Sequence, residues 1–265
     1  MSAAESPPVG PVGKKSPPGA KIIVSEVGRR YEDFWALQDV SLEVEPGEVA
    51  VIIGGSGAGK TTLLKLLIAL DKPTTGTISL DGTNLTAMSE TDLNRERRRM
   101  GMVFQYSALL DSMSILDNVA LPLREHRREL SEKEIRARVI DKLEALELKN
   151  IENKLPSQLS GGMKKRAALA RALMLEPAAL FYDEPTSGLD PLSARLVDRM
   201  IVETRDKFGV TSVVISHDMA GALNIADRMH LLSQGKLVIS GSPDELSRGD
   251  HPLARAFFKA SGIQH

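Results

Sequence analysis

Residues 54–61 read Gly54-Gly55-Ser56-Gly57-Ala58-Gly59-Lys60-Thr61, a glycine-rich turn closed by Lys-Thr. Immediately before it, residues 49–53 form an all-apolar run with the look of a strand buried on both faces. After it, residues 60–70 carry a helix-like apolar pattern. A strand passing through such a loop into a helix is the setting in which G-x-x-x-x-G-K-[ST] holds phosphate. Glycines let the backbone curl so that successive N–H groups face phosphate oxygens, and the helix adds the positive end of its dipole. In that setting Lys60 reaches the β- and γ-phosphates, and the Thr61 hydroxyl ligates Mg²⁺. A Gly/Ser linker shares the composition, but a linker has no reason to place Lys-Thr at this offset between strand and helix.

Working outward, residues 21–25 and 40–44 are β-branched and partly alternating, which predicts strands, and Pro46-Gly47 marks a turn. Residues 76–80 return as strand, with Asp81-Gly82 turning after them. From 89 to 176 the chain becomes helical and charge-rich, interrupted by the short apolar run 100–104. Residues 178–182 and 210–215 are short apolar strands, and 229–233 and 237–240 form a hairpin around Gln234-Gly235-Lys236. The sum is an α/β fold with an α-helical subdomain inserted at about 89–176, which resembles a P-loop NTPase core; that resemblance implies a mixed sheet with flanking helices and an N-terminal antiparallel β region. Residues 1–20, rich in Pro and Gly, read as a flexible tail, 21–245 as the main domain, and 246–265 as a short helical tail.

Length and composition narrow the function. At 265 residues and 42% apolar, the chain suits one large domain with an insertion. A net charge of −1 gives no global field to recruit nucleic acid. With no cysteine, disulfides, thiolate zinc sites and Cys nucleophiles are excluded. No stretch approaches the roughly 18–20 apolar residues of a membrane span, so in any membrane process this chain would supply energy and another the pathway. Nor do residues 6–20 contain the apolar core of a signal peptide.

A second constellation accompanies the loop. Ala179-Leu180-Phe181-Tyr182-Asp183 is an apolar strand ending in a carboxylate that can hold a Mg²⁺ shell, and Glu184 follows, placed to polarise a water as general base. Leu159-Ser160-Gly161-Gly162-Met163 opens a helical run over 164–175. Either the Ser160 hydroxyl and the free N–H groups there bind an anion, or Ser160 is an ordinary N-cap.

Taken in order, these motifs resemble the ABC ATPases over roughly residues 21–245. Walker A is 54–62, ending in Thr62; the Q-loop glutamine is Gln105; the signature is 159–163; Walker B with its glutamate is 180–184; the D-loop is Ser187-Gly188-Leu189-Asp190; the H-loop histidine is His217. The resemblance implies Mg-ATP as ligand. Gly54, Gly55, Ser56, Gly57, Ala58, Gly59, Lys60, Thr61 and Thr62 would hold its phosphates, and Tyr31 would stack on adenine, with Phe34 and Trp35 as rivals. Thr61, Gln105 and Asp183 would surround the metal; Glu184 would be the base; His217 would hold the γ-phosphate and orient the water. Ser160, Gly161, Gly162 and Asp190 would act across a dimer of two copies of the chain, each signature completing the other's Walker site. Two departures stand out: Met163 replaces the usual Gln, and Gly55 a usual Pro.

Met163 with Lys164-Lys165-Arg166-Ala167-Ala168-Leu169-Ala170-Arg171-Ala172 is similar to the Mla-type lipid-transport ATPases. So are the stretch from Phe104 to Ser114 and Asn118-Val119-Ala120-Leu121-Pro122-Leu123-Arg124-Glu125-His126. That likeness implies phospholipid transport between inner and outer membranes. The partners would be an integral-membrane permease dimer, an MCE-type substrate-binding protein and, in some members, a STAS-domain protein. The chain would sit at the cytoplasmic face of the inner membrane. An ATPase for amino acids or lipoproteins shares the catalytic motifs, and a soluble ABC ATPase, as in iron–sulfur assembly, is the third reading. The basic runs 95–99 and 124–128 meet either a permease or lipid headgroups, or are solvated faces.

Overall fold

Strand β3 (Val49–Ile53) is buried at every position, and its alternate residues face two different cores. Val49, Val51 and Ile53 join one apolar cluster; Ala50 and Ile52 join the other. A polar residue anywhere in this strand would be stranded in one core or the other, which is why the sequence there is an unbroken apolar run. The computed structural model describes residues 19–248 together with His251, Pro252 and Arg255. Of the expected flexible tail 1–20 only residues 19 and 20 are described, and of the expected helical tail 246–265 only 246–248, 251, 252 and 255; the rest of both lies outside the described residues.

In chain order the strands are β1 (Ile22–Tyr31), β2 (Phe34–Val44), β3, β4 (Thr75–Leu80), β5 (Thr83–Asn84), β6 (Met100–Val103), β7 (Ala179–Asp183), β8 (Thr211–Ser216), β9 (Arg228–Ser233) and β10 (Lys236–Gly241). The helices are α1 (Lys60–Leu67), α2 (Glu90–Glu96), α3 (Ile115–His126), α4 (Glu132–Ala145), α5 (Gly161–Ala172), α6 (Pro191–Phe208), α7 (Met219–Ile225) and α8 (Pro243–Arg248). One sheet has six strands in the order β10-β9-β3-β8-β7-β6, parallel except for the β9–β10 hairpin. The other is antiparallel, ordered β2-β1-β4-β5. This is the expected α/β architecture with an N-terminal antiparallel region.

Two differences from the sequence pattern have physical causes. Strands β1 and β2 run well past the apolar segments at 21–25 and 40–44, meeting in a hairpin whose last pair is Tyr31 and Phe34. Their charged tips are held by backbone pairing rather than burial, so hydrophobic periodicity does not reveal them. Within the charge-rich block, residues 89–103 stay with the core: Leu93 of α2 packs in the second cluster, and β6 is the edge strand beside β7. Helices α3, α4 and α5 follow it and pack on one another.

Much of the basic run 95–99 is matched within the chain, Arg97 to Glu90 at 3.2 Å and Arg99 to both Glu96 and Asp81. Arg124 likewise bridges Asp117 and Glu132. Paired this way, these side chains form a solvated charged face of small energetic weight.

Candidate active site

The parallel register sets four strand ends side by side, with Ile53 opposite Ser216, Asp183 opposite Ile215, and Val103 opposite Tyr182. The loops leaving β3, β8, β7 and β6 therefore emerge along one carboxyl edge, where ligands of open α/β sheets bind. Those loops carry Lys60, His217, Glu184 and Gln105, so residues scattered over more than a hundred positions converge through sheet order alone.

The loop itself depends on its glycines. A Cβ at Gly54 would sit 2.3 Å from the Leu232 carbonyl, backbone that cannot move aside. Gly59 has φ of +103°, and a Cβ there would press on the Ala36 carbonyl at 2.7 Å. Gly59 also stands at the N-cap of α1 with no side-chain cap, so the first N–H groups of the helix are open to an anion. The Lys60 ammonium is buried and donates to the carbonyls of Gly54 (2.8 Å) and Gly55 (3.1 Å). It also lies 3.8 Å from a Glu184 carboxylate oxygen. Thr61 and Thr62 follow in the first turn of α1.

Glu184 is the hub of the edge. Its other carboxylate oxygen is 2.6 Å from Nδ1 of His217, which is itself exposed. The Glu184 backbone is left-handed, with φ of 47°, and its N–H donates to the Ile215 carbonyl at 3.0 Å. Pro185 next in sequence disfavours a right-handed helical conformation at Glu184. A carboxylate held at this point, between a lysine and an imidazole, is suited to accept a proton from a water.

The carboxylate of Asp183, half-buried beside it, has no hydrogen-bond or ion-pair partner among the described residues. Burial, and then the neighbouring Glu184 charge, push its pKa above the usual carboxylate value. A half-buried carboxylate without a partner is an oxygen donor of the kind a hard divalent cation takes. Gln105 lies just beyond β6 and donates to the Tyr106 hydroxyl at 3.3 Å; its side chain makes no hydrogen bond to Glu184 or Lys60.

The other expected residues lie apart from this edge. Ser160 caps α5, its hydroxyl accepting from Met163 N–H at 3.3 Å. With Gly161 and Gly162 it lines a cleft of about 1000 Å³ shared with α6. Asp190 caps α6, accepting from the N–H groups of Leu192 (3.0 Å) and Ser193 (3.1 Å). The plain capping geometry is thus present at both, and the faces stay open. Tyr31 donates to Asp71 at 2.7 Å and has the Arg29 guanidinium over its ring at 4.4 Å. Phe34 is more exposed still.

Sequence reasoning passed over two supports. Lys165 of α5 donates to the Pro185 carbonyl, directly behind Glu184, and burial lowers its pKa. Its place in a basic run gave no sign of this. Asp198 of α6 is buried near Asp218, the N-cap of α7 and the neighbour of His217. One oxygen of each carboxylate lies within 3.3 Å of the point where a Gly221 Cβ would stand.

Burial, reinforced by Asp218 and opposed by Arg195, raises the Asp198 pKa to about 6. A carboxyl with a raised folded pKa stabilises the fold while protonated, and that contribution is lost as pH rises from its ordinary value through about 6. An Asp198→Asn protein is therefore expected to gain about 1–3 kcal/mol at pH 8 relative to the parent. Its stability should also vary less between pH 4 and 7. Denaturant melts across that range decide the matter; parallel pH profiles for the two proteins would contradict it.

A phosphate loop, a carboxylate pair and a histidine gathered on the carboxyl edge of a parallel sheet define a P-loop nucleotide hydrolase. Residues 37–187 match the family described as ABC transporter. The chain belongs to the ABC transporter family, as an ATP-hydrolysing cassette. It is 44% identical over 219 residues to the intermembrane phospholipid transport system ATP-binding protein MlaF of Escherichia coli K12, covering 83% of this chain and 81% of that one. It is 38% identical over 249 residues to the probable ribonucleotide transport ATP-binding protein mkl of Mycobacterium leprae, covering 94% and 72% respectively. Among solved structures it resembles the dimeric cassette MJ0796 in a post-hydrolysis state bound to ADP and Pi (TM-score 0.74, 32% identity, 84% of this chain and 98% of that). It also resembles cbiO1 of Clostridium perfringens, part of the complex cbiONQ (TM-score 0.79, 29% identity, 90% and 98%). Among the described residues no helix is long and apolar enough to cross a membrane.

Proposed function

We propose that the chain powers phospholipid transport between two membranes, working as a homodimer on an integral-membrane permease at the inner membrane. The observation that carries the catalytic part is the convergence of Lys60, Glu184 and His217, with Glu184 only 3.8 Å and 2.6 Å from the other two. The 54–62 loop holds the ATP phosphates, with Lys60 neutralising their charge. Thr61, Asp183 and Gln105 would hold Mg²⁺, which when bound would supply Lewis-acid charge neutralisation at the phosphates. Glu184 takes the proton from the attacking water, and His217 keeps that carboxylate and the terminal phosphate in register. Tyr31 meets the adenine. Ser160, Gly161, Gly162 and Asp190 serve the nucleotide of the second copy, so the ATPase domain spans about 21–245 with the helical insertion presenting the signature.

The cargo rests on the likeness to MlaF, which exceeds that to mkl in identity. An MCE-type protein and, in some assemblies, a STAS-domain protein would complete the complex. Copurification from detergent-solubilised membranes tests this: a multipass permease with bound phospholipid is the expected result. A permease carrying ribonucleotide, or no membrane partner, would refute the lipid assignment while leaving the ATPase intact.

A further inference from the structure

Helix α5 reaches the segment that follows Gln105 through one side chain. Arg171, in its last turn, donates from one terminal nitrogen to the Ala108 carbonyl at 2.7 Å and from the other to the Ser107 carbonyl at 3.1 Å. One planar guanidinium spanning two successive carbonyls is a fork that a lysine ammonium cannot copy. The accepting residues are unusual: Ser107 and Ala108 are both left-handed, with φ of 62° and 47°. Side-chain-bearing residues rarely adopt that conformation, and it persists only where the surroundings impose it.

The same turn is closed by Ser107 N–H donating to the Phe104 carbonyl at 3.1 Å and Ala108 N–H to the Tyr106 carbonyl at 2.7 Å. Gln105 is thereby enclosed in it. Burial of the guanidinium is unfavourable, lowering its pKa, and the hydrogen-bond acceptors it meets are these two carbonyls.

We propose that Arg171 is a positioning residue for Gln105, holding the left-handed turn that fixes where the glutamine stands and tying it to the helix that begins at Ser160. The inference rests on the role given to Gln105 above. A shift of the turn would be passed along α5, a rigid helix about 18 Å long, to the signature end.

The test is steady-state ATPase kinetics, Mg-ATP affinity and thermal melting of the full chain. Arg171→Ala is expected to lower kcat by about tenfold or more while ATP affinity changes by less than about threefold. Arg171→Lys should recover little of the loss. Adding Ser107→Gly and Ala108→Gly to Arg171→Ala should restore much of kcat, because glycine takes the left-handed conformation without strain. A purely structural arginine would lower the melting temperature with no split between kcat and affinity, and full rescue by Lys would also overturn the proposal. Gln105→Ala is measured alongside. If it leaves kcat unchanged, the role of Gln105 fails and this inference with it; if it impairs kcat while Arg171→Ala does not, only the inference falls.

Discussion

A Glu184→Gln protein is expected to bind ATP as the parent does and to hydrolyse it about 10²–10⁴-fold more slowly. Glutamine preserves the size and the left-handed backbone of Glu184, so the edge keeps its shape. What changes is the charge: an amide cannot accept a proton from water, and it no longer answers Lys60 at 3.8 Å or His217 at 2.6 Å. In the proposed homodimer, where ATP would bridge two copies, the variant should also accumulate as an ATP-stabilised dimer, read by size-exclusion chromatography with and without nucleotide. Hydrolysis within threefold of the parent would remove Glu184 from the role of base. Rapid hydrolysis lost together with ATP binding would instead point to a collapsed site.

The parts of this site legible in the sequence are those whose physics is local. The strand–loop–helix from Val49 to Leu67 is written as a buried run, glycines and a helical period, and it folds as such. Asp183 and Glu184 show because a carboxylate ends an apolar strand. Local reading failed where long-range pairing decides. The charged tips of β1 and β2 carry no apolar alternation, yet Arg30 and Trp35 pair across the hairpin. Lys165 and Arg171 sit in a helix whose sequence names no partner for either, but each donates to a carbonyl outside that helix, at Pro185 and Ala108. Asp198 reads as one more polar helix position and is in fact buried against the cap of α7. Such roles follow from sheet order and helix packing, which spacing in a single sequence does not encode.

A mixing experiment has the next largest expected effect. Lys60→Ala removes the buried ammonium that is proposed to meet the phosphates, and Ser160→Arg replaces a cap hydroxyl at an exposed helix start with a bulky cation. Each alone should be inactive, the first for want of ATP binding and the second because its α5 end cannot close over a partner's nucleotide. In the proposed two-fold dimer, every site would take the 54–62 loop from one copy and the signature from the other. A heterodimer of the two variants then holds one doubly damaged site and one in which an intact Lys60 faces an intact Ser160. If the copies exchange freely, half the dimers are mixed, and the mixture should regain up to roughly one quarter of parental activity. The placement of Ser160 and Lys60 in separate regions of one chain is what makes the outcome informative. A site complete within one copy would give no recovery on mixing, whatever the ratio. Recovery that rises with the fraction of mixed dimers requires that the helix capped by Ser160 serve a loop it does not share a chain with.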